Sequence, residues 1–323
     1  MTNFQVYKKT LPFSLIMFLT DLVSISLLVG SCVAGFFIAN NATDLGIVGL
    51  VVGLVIGIIL ASLFSFFITN RIKAAQIAMM TKGVTEDQLP EHTVKEGFNE
   101  LHGRFGKIYL FFAITNAIKG IFNQIGRGIT RIGGAIGGDV GSGIGSAVDS
   151  AIQTLISYLC DCCLGWVLFR KNENSAKAAC EGAVIFFKHG KTLIRNVGRI
   201  FGMGFLSLFL VGGAFFGGFY ALFSNVPLLQ PLANEIIEAI QRSGEEVPAF
   251  LNSPVLVNLV ASGIGGIIIW SVLHSVLIRP FILVGVLRNF MAAGKENIPT
   301  EADLAELDSK SPKFAKLRQK SFN

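Results

Sequence analysis

Residues 45–70 read LGIVGLVVGLVIGIILASLFSFFITN, a run of 26 residues without one charge. Roughly 20 apolar residues suffice to carry a helix across a bilayer core, so this run is a membrane span. Three more stretches share its character: Leu11 to Ala39, broken only by Asp21, then Ile200 to Asn234, and Val247 to Ile278. Composition agrees. Hydrophobic residues make up 52% and charged residues 15%, against about 25% charged in a soluble domain, so much of the surface faces lipid. The chain reads as a polytopic integral membrane protein.

Placement of charge sets the orientation. Of 27 Lys and Arg, two lie in residues 1–10, six in 71–107, seven in 170–199 and seven from Arg288 onward. The polar stretch Ser224 to Ser253 has only Arg242 against Glu235, Glu238, Glu245 and Glu246. Basic residues resist translocation, so the first four segments are expected on the cytoplasmic side and the acidic one outside. The net charge of +6 is then a topology signal, with anionic lipid rather than nucleic acid as its partner. Between Lys107 and Arg170 the chain starts and ends inside, crossing twice or making a re-entrant excursion. The expected fold is an all-α bundle of about six transmembrane helices with interfacial amphipathic helices and a Gly-rich central segment. Residues 1–294 are expected to form one membrane domain in the plasma (cytoplasmic) membrane, with both termini cytoplasmic and 295–323 a cytoplasmic tail that is a solvated helix or disordered. The first apolar stretch is too long for a signal-peptide core. Five cysteines are an odd number, and four sit near cytoplasmic helix ends, which argues against a disulfide framework.

The centre is unusual. Gly133, Gly137, Gly141 and Gly145 fall four apart, as do Gly49, Gly53 and Gly57 in the second crossing. Each glycine costs a helix about 1 kcal/mol relative to alanine, whereas small residues at this spacing let helix backbones approach closely in a membrane. Plain helix packing is one reading, a pair of broken helices around a transport path the other.

Ionisable groups at bilayer depth are costly and each marks a functional candidate. Asp21, Lys119, Asp149, Asp161 and His274 are such groups, with Arg279 snorkelling at a cytoplasmic end. Lys119 and Asp149 could pair across a hairpin. The bland alternative for each is a satisfied structural group. Enzyme signatures are missing: no nucleophile elbow, no His-Glu-x-x-His and no Walker sequence, while the four histidines suit no metal site. No cofactor and no catalytic residue is expected. Cys160, Cys162 and Cys163 lack the second pair a structural zinc site needs. Val184 to Val197, with its interspersed Lys188, Lys191 and Arg195, and Phe281 to Phe290 beyond Pro280, are expected to lie in the headgroup plane, because the proline should end or bend the preceding helix.

Gly141 to Ser146, an apolar helix, the run Cys160-Asp161-Cys162-Cys163-Leu164-Gly165-Trp166, then Asn172 to Ala178 and an amphipathic segment ending Arg195 to Arg199, together with Asn70 to Ala75, come in an order that resembles the choline transporter-like family. The likeness covers about Leu45 to Phe290, with gaps; the family has more crossings and a large outer loop that this chain lacks. The resemblance implies a transporter for a small solute of the quaternary-amine class. Such a cation wants aromatic faces and a nearby carboxylate, and Tyr158, Asp161, Trp166 and Trp270 supply them. An interfacial aromatic belt explains Tyr158 and Trp166 equally well. The alternatives are a non-transporting assembly protein, homo-oligomeric through its glycine faces, and a pore formed by the Gly-rich centre.

Overall fold

The computed structural model describes residues 1–43, 45–105, 108–137, 142–226, 229–243 and 246–319, and the side chains of these outside 43, 108–109, 125–152, 187, 190–199, 239, 243 and 310. Among the described residues there is no strand. The helices are α1 (Asn3–Thr43), α2 (Gly46–Phe64), α3 (Asn70–Thr85), α4 (Thr93–Phe105), α5 (Ile108–Gly137), α6 (Ser142–Phe169), α7 (Ser175–Ser207), α8 (Gly213–Asn225), α9 (Gln230–Ser243), α10 (Pro254–Leu273), α11 (Arg279–Glu296), α12 (Glu301–Lys310) and α13 (Pro312–Gln319). Three π-turns, Ser65–Thr69, Leu208–Gly212 and His274–Ile278, join α2 to α3, α7 to α8 and α10 to α11.

Among the described residues, four helical stretches are long and apolar enough to cross a bilayer: Asn3–Ala42, Gly46–Thr85, Ile200–Asn225 and Pro254–Glu296. They make the chain an integral membrane protein. It divides into two compact units, one of Leu15–Asn70 with Phe201–Arg279, the other of Met1–Ser14, Arg71–Ile200 and Pro280–Asn323.

The first unit is apolar on its outside. Val48, Val51, Val55, Ile59, Phe209, Leu210, Ile264 and Ile267 are all exposed, which in water would be untenable and in lipid is expected. Its inner contacts run along small residues. A Cβ on Gly49 would lie 2.8 Å from the Gly35 carbonyl carbon, one on Gly53 2.9 Å from that of Ser31, and one on Gly57 3.0 Å from Leu28 Cα. α1 and α2 therefore meet backbone to backbone. On the other hairpin, a Cβ on Gly266 would stand 3.1 Å from the Gly212 carbonyl oxygen, and Asn258 Nδ2 donates to the Phe223 carbonyl at 3.1 Å. Ser253 caps α10, and Pro254 occupies its first turn, where the missing N–H is harmless.

Pro280 does not end its helix. The Arg279 N–H reaches back five residues to the His274 carbonyl, and this wider turn makes room for a ring that would otherwise push against the carbonyl four residues before it. The helix then runs on as α11, with Ile282, Leu283, Val284, Val286, Leu287 and Phe290 buried in the second unit rather than lying in a headgroup plane.

That second unit is centred on α6. Leu159, Cys162, Cys163, Trp166 and Val167 are all but inaccessible. The first half of α7 packs there too: Ala178, Ala179, Cys180, Ala183, Val184 and Ile185 are buried, and a Cβ on Gly182 would lie 2.5 Å from Cys163 Sγ. Its small residues thus serve close packing against α6, which the basic residues beyond them disguise in the sequence. α5 contributes Ile114, Ile118, Ile121 and Phe122 to the same unit. Gly133, Gly137, Gly141, Gly145 and Asp149, on which the reading of the centre rested, lie outside the residues whose side chains are described.

Residues 301–319 are two helices that pack on the second unit rather than a solvated tail. Leu304, Leu307, Phe314 and Leu317 are buried, and Gln124 of α5 accepts from the Ser311 hydroxyl at 3.1 Å. Thr300 and Asp303 form a reciprocal capping box on α12. Asp303 also pairs with Lys188. Those bonds, first from Lys188 and then from Thr300, hold its carboxyl down at about 2. A depressed folded-state value stabilises above the unfolded value near 3.9 and is lost as pH falls. The start of α12 is therefore expected to loosen between about pH 4 and pH 2, and amide exchange at Leu304 should rise over that window; Thr300→Ala should cost about 1 kcal/mol at neutral pH.

Candidate functional site

An apolar hairpin offers chemistry only where polar side chains gather, and among the described residues Ser207 at the end of α7, Trp270 of α10 and His274 just after it gather in this way. Trp270 Nε1 donates to Ser207 Oγ at 3.1 Å, Ser207 Oγ donates to the Gly204 carbonyl at 2.7 Å, and His274 Nδ1 lies 3.3 Å from the same hydroxyl. Trp270 and His274 are one turn apart, with ring centroids separated by 5.2 Å.

A serine hydroxyl has one hydrogen and accepts twice, and indole can only donate. Ser207 therefore accepts from Trp270 and has one further lone pair and one hydrogen to share between the Gly204 carbonyl and His274 Nδ1. Ser207 is the residue before one π-turn and His274 the first of another. Such turns recur at functional sites because they re-aim side chains and loosen the carbonyl ladder. The third π-turn ends at Thr69, whose hydroxyl donates to Thr20 Oγ1 at 3.5 Å. Asp21 follows Thr20 and is half-buried.

In the other unit several buried polar groups pair with each other. Asp161, 6% exposed, pairs with Lys73 at 2.8 Å. Glu181, 1% exposed, accepts from Trp166 Nε1 at 3.0 Å and from Arg170 Nε at 3.1 Å. Arg170 also reaches Glu173 at 3.1 Å. Glu100 holds both Lys82 and Lys171. Burial alone would raise its carboxyl, but these two ammonium groups pull it below the usual range. A cleft of about 290 Å³ lies beside them, lined by Thr81, Lys82, Glu86, Glu100, Phe169 and Lys171 among others.

Of the four residues read as a binding set, Tyr158, Asp161 and Trp166 are buried on α6 in one unit, and Trp270 belongs to the other. Trp166 is covered on its faces: a Cβ on Gly294 would lie 2.5 Å from its Cζ3, and Phe169 packs at 5.5 Å between centroids. No room remains there for a quaternary ammonium. Lys119 is exposed on α5. Cys160, Cys162, Cys163 and Cys180 are buried free thiols. Burial raises Cys162 and Cys163 well above their ordinary value and Cys180 to about 12, so these three are not thiolate nucleophiles. Among the described residues no His, Cys, Asp and Glu cluster could hold a metal ion.

Sequence reasoning overlooked Ser207 and Glu181. A signal for the first existed. Trp270 and His274 share a helical face and need polar partners in an apolar hairpin, and Ser207 is the sole hydroxyl between Ile200 and Phe219.

Comparison with known proteins gives little more. A family model described as a family of unknown function, DUF5518, matches residues 9–87, a span that holds most of α1 and all of α2 and α3. No curated protein and no solved structure matches the chain.

Proposed function

We propose that the chain is a membrane transporter or facilitator for a small solute, with Ser207, Trp270 and His274 as its polar step. The observation that supports this reading is their shared hydrogen bonding inside an apolar hairpin, where polar side chains are expensive and mark pathways. The two π-turns beside them add a backbone able to shift. The four long apolar stretches are taken as crossings, with Leu159 to Val167 of α6 buried in the other unit. With both ends of this four-helix set on the basic side, the termini and the second unit are cytoplasmic. Cations, quaternary amines included, remain the solute class to test first, with Trp270 as the available aromatic face.

The assembly reading weakens on one point. Gly49, Gly53 and Gly57 already face α1 of the same chain, so that stripe is not free to join a second copy.

The test is uptake of labelled choline and a panel of small cations into proteoliposomes. Asp161→Asn is a poor probe, because it breaks the Lys73 pair and disturbs structure. Ser207→Ala leaves the indole and the imidazole without their shared partner, which costs about 1–3 kcal/mol. Saturable uptake that falls about tenfold or more in Ser207→Ala, in protein that is still folded and inserted at the assay temperature, is the expected result. Uptake that Ser207→Ala keeps in full would move the step elsewhere, and no uptake of any solute by folded, inserted protein would end the transport reading.

A further inference from the structure

α9 is a helix that neither the topology nor the transport reading uses. Its sequence, QPLANEIIEAIQRS, places Leu232, Ala233, Ile236, Ile237 and Ile240 at steps of three and four on one face, and Glu235, Glu238 and Arg242 on the other. The apolar face is only half used. Ala233 is 8% exposed, while Leu232 is 51% and Ile236 38% exposed. One flank thus packs on protein and the next flank is open.

We propose that α9 lies in the headgroup layer of the bilayer, on the acidic side of the protein, with Leu232 and Ile236 among the acyl chains. Chain length limits the location. Only four residues separate α9 from Asn225 at the end of α8, so the helix starts within about 18 Å of the end of that span. Its 14 residues make about 21 Å of helix, and lying flat is the one orientation that puts the whole apolar flank against acyl chains. Apolar side chains on either side of it in the chain are exposed too: Val226 just after α8, Phe250 in the turn before α10 and Val255 in its first turn.

Charge defines which lipid. The polar face holds two glutamates and one arginine, with Glu238 and Arg242 paired at 3.2 Å in full view of solvent. Lysine is missing from the helix, and Glu245 and Glu246 follow it. Attraction to anionic headgroups contributes nothing here, so apolar burial must carry the contact and zwitterionic lipid suffices. This distinguishes α9 from a polybasic anchor, whose binding depends on anionic lipid and on salt.

The experiment uses the full chain reconstituted in phosphatidylcholine vesicles, and in vesicles with a third of phosphatidylglycerol. Nitroxide labels go on Leu232→Cys, Ile236→Cys, Glu235→Cys and Glu238→Cys, and collision with oxygen is compared with collision with a water-soluble nickel chelate. The labelled parent chain corrects for its own cysteines. Labels at 232 and 236 should favour oxygen several-fold, at a depth of about 5–10 Å, and those at 235 and 238 should favour the chelate, equally in both vesicles. Chelate access at 232 and 236 matching that at 238 would overturn the proposal. So would oxygen preference confined to the anionic vesicles, or spin–spin broadening at 236 that dilution with unlabelled protein removes, which would put a second copy on this face.

Discussion

Gly53→Leu is expected to unfold the membrane unit. A Cβ at position 53 would lie 2.9 Å from the Ser31 carbonyl carbon and 3.0 Å from Cys32 Cα. Both are backbone atoms of α1 and cannot rotate aside. Relief requires the two helices to separate, and separation empties every contact along the stripe, from Gly35 with Gly49 to Leu28 with Gly57. Inserted bulk in a packed core costs about 1–3 kcal/mol when side chains can yield; here they cannot, and at least about 3 kcal/mol is expected. Gly30→Leu is the matched control, since a Cβ there meets nothing within 4 Å among the described residues and leucine is the better helix former. Fractional unfolding in detergent titrated with dodecyl sulfate should separate the two variants cleanly. Equal midpoints for Gly53→Leu and the parent chain would mean that α1 and α2 do not depend on close approach.

The glycine stripe in α2 could be read from sequence because its spacing has few other causes in an apolar helix. Span length could also be read, since four uncharged runs each exceed the bilayer core. Other features were hidden for definite physical reasons. Pro280 implies a helix end by local rules, yet a π-turn just before it absorbs the ring, and π-turns leave no composition signature. Trp166 sits in an apolar stretch beside Arg170, a pattern common to a membrane interface and a protein core. The distinction lies in Glu181, fifteen residues on and across a turn, whose carboxylate turns indole and guanidinium into one buried network. The tail mixes charges so closely that it resembles a solvated segment; Leu304, Leu307, Phe314 and Leu317 recur at helical steps, but over two short helices the period is too brief to stand out. Of the candidate site, Trp270 and His274 were visible as polar groups in an apolar run, while the residue that joins them is a serine that looked like filler.

Glu181→Ala is expected to cost the second unit about 3 kcal/mol. The carboxylate is inaccessible and accepts three bonds, from Trp166 Nε1 and from Arg170 Nε and Nη2. Removing one member of a buried, hydrogen-bonded charge pair costs about 3–5 kcal/mol because the other is stranded. Arg170 is not wholly stranded, being 23% exposed and still paired with Glu173, which puts the loss at the low end. Trp166 fares worse, for its N–H is sealed in the core with no water to take over. Glu181→Gln keeps an oxygen for the indole and loses only the charge, so about 1–2 kcal/mol is expected. Thermal midpoints of the full chain should fall in the order parent, Gln, Ala. A Trp166→Phe change removes the orphaned donor, so the double variant Glu181→Ala with Trp166→Phe should lose less than the sum of the two single changes, by about 1 kcal/mol or more. Strict additivity would show that the indole bond contributes nothing and that Glu181 serves Arg170 alone.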